Sequence, residues 1–138
     1  MDTQQANNPG MKGVARPARG SVLVVDDELN FVILLDRVLS KRGYRVMTAA
    51  NAEEALALVD KQVAFDVAII DIRMGPMDGL TLLVELKREL PELKVIMLTA
   101  YPTYEARVTS IKNGASAYFT KPVELTSLLD TVASCQRA

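Results

Sequence analysis

Hydrophobic positions along this chain switch repeatedly between two rhythms. Short unbroken apolar runs suit strands buried on both faces, and they alternate with stretches whose apolar residues recur every three or four places, as on a half-buried helix. The run at 21–26 (SVLVVD) predicts a first strand that ends in acid. Phe31, Leu34, Leu35, Val38 and Leu39 follow at helical spacing, and the segment closes at Gly43. A second strand is predicted at 44–49. Asn51 with Glu54 three places on has the form of a capping box, opening a helix through 60. The run at 65–71 (FDVAIID) again ends in acid. A helix over 79–90 carries Leu80, Leu83, Leu86 and Leu90. A strand at 94–99 (KVIMLT), a helix over 104–113 closed by Gly114, and a short strand at 116–120 come next. A last helix over 123–134 turns Leu125, Leu128, Leu129 and Val132 inward.

Five strand–helix units in strict alternation predict an α/β domain, a five-stranded parallel sheet with helices on both faces. Residues 1–20 (MDTQQANNPGMKGVARPARG) lack any apolar period and read as a flexible tail, which leaves 21–138 as the folded domain. At 138 residues and 49% hydrophobic content, there is material for one packed core.

Charge and composition narrow the chemistry. The tail holds three basic and one acidic residue, leaving 13 basic against 16 acidic after it, a poor balance for binding nucleic acid. There is no histidine, so histidine base catalysis and histidine-ligated zinc are excluded. The single cysteine, Cys135, excludes an intrachain disulfide and reads as an incidental thiol. With no long apolar run and no signal-peptide pattern, no membrane association and a cytoplasmic location are expected.

In parallel α/β sheets, ligands bind beyond the carboxyl ends of the strands. The first strand ends in Asp26-Asp27, the third in Asp71, the fourth in Thr99-Ala100 and the fifth in Lys121-Pro122. Singly, each has a plainer role: a helix-start cap, a turn residue, a cap hydroxyl, a solvated surface charge. Jointly they bring three carboxylates, a hydroxyl and an ammonium to one crevice. Packed carboxylates need a cation, and hard oxygen donors select Mg²⁺ or Mn²⁺. Metal, Lys and Thr together suit a phosphoryl group, and a carboxylate can act as its nucleophile.

At these residues the chain resembles the receiver domains of bacterial two-component response regulators. The matching pieces are VLVVDDE at 22–28, DVAIIDIRM and MDG at 66–74 and 77–79, VIMLTAY at 95–101 and GASAYFTKPV at 114–123. The resemblance implies the flavodoxin-like strand order 2-1-3-4-5. It implies Asp71 as phosphoacceptor, and Asp26, Asp27, Asp71 and the backbone carbonyl of Arg73 as the Mg²⁺ site, with Asp27 direct and Asp26 through water. Thr99 then matches the switch hydroxyl, Lys121 the lysine on a phosphoryl oxygen, and Tyr118 the switch aromatic. The Lys121-Pro122 peptide is expected to be cis. Proline in the loop after the third strand stands one place late, at Gly75-Pro76, so the loop over the metal is expected to differ in shape.

The function implied is a phosphorelay switch rather than an enzyme acting on other molecules. It would take a phosphoryl group from a sensor histidine kinase or phosphotransfer protein, and catalyse its own phosphorylation and dephosphorylation. Its signal would pass to a downstream protein through the fourth helix, fifth strand and last helix, as a monomer or a phosphorylation-dependent dimer. Arg73 and Tyr101, each two places beyond a site residue, are large enough to restrict the attacking water and lengthen the phosphoryl lifetime. Three other readings stay open: a scaffold of the same fold that takes no phosphate, a phosphatase-like hydrolase using Asp71, and a flavin-binding protein.

Overall fold

The structure is a computed structural model, and it describes residues 19–73 and 78–136. Ten elements alternate: β1 (Gly20–Val25), α1 (Leu29–Lys41), β2 (Tyr44–Ala49), α2 (Ala52–Asp60), β3 (Val67–Asp71), α3 (Gly79–Glu89), β4 (Lys94–Thr99), α4 (Tyr104–Lys112), β5 (Ala117–Thr120) and α5 (Leu125–Gln136). The five strands are all parallel, in the order β2-β1-β3-β4-β5. This is the order the resemblance implied. β1 begins at Gly20, inside the span read as tail; residues 1–18 lie outside the described residues.

The central strands are apolar on both faces because both are covered. Val22, Val24, Val67, Ile69, Ile96 and Leu98 pack against α1 and α5, through Val32, Leu35 and Leu39 and through Leu128, Leu129 and Val132. The alternate residues, Leu23, Val25, Ala68, Ile70, Val95 and Met97, meet α2 and α3 on the other side. In α1 the expected spacing holds for Leu35 and Leu39, which are buried, and for Phe31 and Val38, which pack against the same core, but not for Leu34. Val32 is buried and Leu34 is 42% exposed, because α1 carries apolar residues all round, with Leu29 and Ile33 also facing out. α4 is seated least deeply, and Ser110 is its one buried residue.

Local chemistry sets the boundaries that place the site. Asn51 Oδ1 accepts from the Glu54 amide at 2.8 Å, and Glu54 Oε1 reaches back to the Ala50 amide at 2.8 Å, so the capping box forms one place wider than its standard pairing. Asp78 caps α3 by accepting from the Thr81 amide at 2.9 Å, and Thr103 caps α4 by accepting from the Ala106 amide at 3.0 Å. Gly79 sits where α3 begins against the end of β3. A Cβ there would strike the Asp71 carbonyl and lie 2.8 Å from Ile72 Cα, so only glycine fits. Among the described residues no helix is long and apolar enough to cross a membrane.

Candidate functional site

The strand order reverses between β1 and β3, where the chain leaves β1 toward β2 and returns on the other side. The register pairs Val25 with Ile70, so the residues that follow, Asp26 and Asp71, stand side by side at the carboxyl ends. β4 lies next, with Leu98 beside Asp71, and Thr99 pairs with Thr120 of β5, directly before Lys121. The sheet therefore delivers the strand-end residues to one edge.

Asp26, Asp27 and Asp71 converge there, each with a carboxylate oxygen within 4.8 Å of the others. Asp26 and Asp71 are buried and Asp27 is exposed. Lys121 closes the group. Its Nζ donates to Asp26 Oδ2 at 2.7 Å and lies 3.5 Å from Asp71 Oδ2 and 3.4 Å from Glu28 Oε1. The Lys121-Pro122 peptide is cis, as the resemblance implied. The remaining carboxylate oxygens accept backbone amides: Asp26 Oδ1 from Glu28 at 2.9 Å, Asp71 Oδ1 from Arg73 at 3.2 Å.

Burial, and after it the charge of Asp26, push the Asp71 carboxyl above its ordinary 3.8, against the opposing pull of Lys121. Burial pulls the Lys121 ammonium down, but its hydrogen bond to Asp26 and the charges of Asp26 and Asp71 outweigh this and raise it above 10.5. One cation among three carboxylates leaves the cluster short of positive charge. The donors are hard oxygens, so the residues present fit a divalent cation of the Mg²⁺ type.

The other predicted residues surround this centre. Thr99 is buried at the end of β4, and its Oγ1 accepts the Tyr101 amide at 3.0 Å instead of bonding to Asp71. Tyr118 packs on the side of the sheet that faces α2, α3 and α4, its hydroxyl buried with no partner among the described residues. Arg73 follows β3 and Tyr101 follows β4, and the Arg73 guanidinium lies 4.7 Å from the Tyr101 ring centroid. Gly75 and Pro76, the late proline, lie outside the described residues. Two neighbours escaped the sequence reading. Glu28 reaches Lys121 from the start of α1, and the Phe31 ring lies 4.6 Å from Lys121 Nζ. Glu28 closes the VLVVDDE motif and Phe31 sits one turn beyond it, so proximity to the acidic pair was the available signal.

Comparison with known proteins identifies a family and a shared fold. The profile of the family described as response regulator receiver domain matches residues 22–133. The transcriptional regulatory protein ZraR of Escherichia coli is 38% identical over 111 residues, covering 80% of this chain and 25% of ZraR. The chain thus spans about a quarter of the length of the curated relatives it matches. Among solved structures, a CheY-like receiver domain protein from Methanospirillum hungatei is 34% identical with a TM-score of 0.81, covering 85% of this chain and 93% of the other. The response regulator TrrA from Thermotoga maritima, solved in complex with Mg²⁺-BeF, is 35% identical with a TM-score of 0.74, covering 83% and 97%.

Proposed function

This chain belongs to the response regulator receiver domain family, and from that premise we propose that Asp71 is its phosphoacceptor, loaded by a sensor histidine kinase or phosphotransfer protein. The observation that carries the reading is the convergence of Asp26, Asp27 and Asp71 beside Lys121 at the switch point of the sheet. An Asp71 carboxylate oxygen bonds to phosphorus as the phosphorus–nitrogen bond of the donor's phosphohistidine breaks, and the electron pair leaves with the imidazole. Mg²⁺, held by Asp26, Asp27, Asp71 and the Arg73 carbonyl, would supply positive charge for the phosphoryl oxygens. TrrA, a relative of similar fold, was solved with Mg²⁺-BeF, in keeping with such a site.

Lys121 and Thr99 then take phosphoryl oxygens. For Lys121 this means a short move from Asp26, its nearer partner at 2.7 Å, toward Asp71 at 3.5 Å. Thr99 exchanges the Tyr101 amide for the phosphoryl group. The domain acts as a switch that catalyses its own phosphorylation and dephosphorylation, not as an enzyme on other substrates. Thr99 and the half-buried Tyr118 bias the state of α4, and a downstream protein reads the face formed by α4, β5 and α5, in the cytoplasm, with the domain as a monomer or a phosphorylation-dependent dimer. The shallow seating of α4 supports its role as the moving element. Arg73 and Tyr101 set the lifetime of the phosphoryl group.

Titration with beryllofluoride and Mg²⁺, followed by fluorine NMR, tests the acceptor. A bound resonance that needs both Mg²⁺ and Asp71 is expected. A folded wild type giving no such resonance would contradict the proposal.

A further inference from the structure

Lysine is a point charge on a flexible stem, so an ammonium that must act at one place needs support beyond its ion partners. Three carboxylates approach Lys121 Nζ, from Asp26, Glu28 and Asp71, at 2.7, 3.4 and 3.5 Å. The Asp26 oxygen is the nearest, and the other two stand at the long edge of hydrogen-bond distance. The Phe31 ring, 4.6 Å away at its centroid, adds an uncharged contact that offers Nζ its π face.

Phe31 is well placed for this. It lies in the first turn of α1, its amide donating to the Glu28 carbonyl at 3.0 Å, and its half-buried ring packs onto the core shared by α1 and α5. The same ring and Lys121 line a groove of about 440 Å³ whose other walls include Leu34, Pro122, Val123 and Leu125. Phe31 and Lys121 therefore stand together where the acidic crevice meets an apolar groove.

We infer that Phe31 is a positioning residue for the phosphoryl chemistry: its ring face holds the Lys121 ammonium at the mouth of the acidic crevice, within a short reach of Asp71. This rests on the phosphoacceptor reading of Asp71. Leucine at position 31 keeps an apolar filling but removes the π face, whereas tyrosine keeps the face.

The test is proton NMR of the Lys121 ε-methylene together with the rate of phosphorylation by acetyl phosphate and Mg²⁺. In wild type, ring current should move the ε protons upfield of ordinary lysine values. Phe31→Leu should abolish that shift and slow phosphorylation about fivefold at unchanged fold by circular dichroism. Phe31→Tyr should keep both the shift and the rate. Should Phe31→Leu not fold, Phe31→Met carries the same comparison. Ordinary ε-proton positions in wild type would overturn the contact. A wild-type rate in folded Phe31→Leu would overturn its role. A wild type that takes no phosphoryl group while showing the upfield shift would instead refute the Asp71 reading, and the positioning role with it.

Discussion

The Arg73 guanidinium lies over the Tyr101 ring, 4.7 Å from its centroid. Each of these residues is tied by its own amide to a site side chain, Arg73 to Asp71 Oδ1 and Tyr101 to Thr99 Oγ1. The two loops beyond β3 and β4 are thereby joined at their side chains as well as through the sheet. Tyr101 is 63% exposed, so the contact belongs with the weaker cation–π pairs, about 0.5–1 kcal/mol. If the two large side chains act as one obstacle to water, their effects on phosphoryl loss are not additive. Arg73→Ala and Tyr101→Ala should each speed hydrolysis of the phosphorylated protein severalfold, and the double variant should gain little more than either single one. Decay of radiolabel from the purified phosphoprotein measures this.

Asp71 is strained electrostatically in the metal-free protein. Its folded pKa is raised by burial first and Asp26 second. For a carboxyl raised in this way, the stability linked to its protonated form is fully present below the unfolded pKa, and it is lost as pH rises through the folded value. Asp71→Asn should therefore melt at a higher temperature than wild type at pH 7 without Mg²⁺, and the difference should shrink below pH about 4. Mg²⁺ should raise the wild-type melting temperature and leave the variant nearly unchanged. Calorimetry across pH, with and without the metal, checks both signs.

Among the described residues, the Tyr118 hydroxyl is buried without a partner, as is the Ser110 hydroxyl on the neighbouring α4. A buried hydroxyl left unpaired costs about 1–3 kcal/mol relative to solvation. Tyr118→Phe should accordingly unfold at equal or higher denaturant concentration than wild type. A loss of more than about 1 kcal/mol in urea unfolding would mean that this hydroxyl is bonded in solution.

Gly79 admits no side chain, because α3 starts directly against the Asp71 carbonyl and Ile72 Cα. Gly79→Ala should cost about 1–3 kcal/mol of stability, the usual range for overpacking against unyielding structure. It should also weaken Mg²⁺ binding, since the backbone pushed aside belongs to Asp71. Urea unfolding and a metal titration on the same sample separate the two effects.

Much of this site could be read from sequence because strand ends are chemically marked. The runs ending at Asp26 and Asp71 stop being apolar where the sheet stops, and alternation of elements implied a parallel sheet with those ends together. What periodicity does not carry is the lateral order of strands; that came from the resemblance. In α1 the spacing marked Leu35 and Leu39 correctly but missed Val32 and included Leu34, because Leu29, Ile33 and Leu34 make the outer face partly apolar as well. The contact of Arg73 with Tyr101 depends on which strands are neighbours and how side chains turn at their ends, so it leaves no local pattern, whereas for Phe31 the sequence offers only its nearness to the acidic pair.

The most direct test is the intact mass of the protein after incubation with acetyl phosphate, with and without Mg²⁺, for wild type and Asp71→Asn. A single added phosphoryl group that needs Mg²⁺ and is absent from the variant is the predicted result. An equal adduct on Asp71→Asn, or none on folded wild type that also fails to form a beryllofluoride complex, would contradict the assignment of Asp71 as the phosphoacceptor.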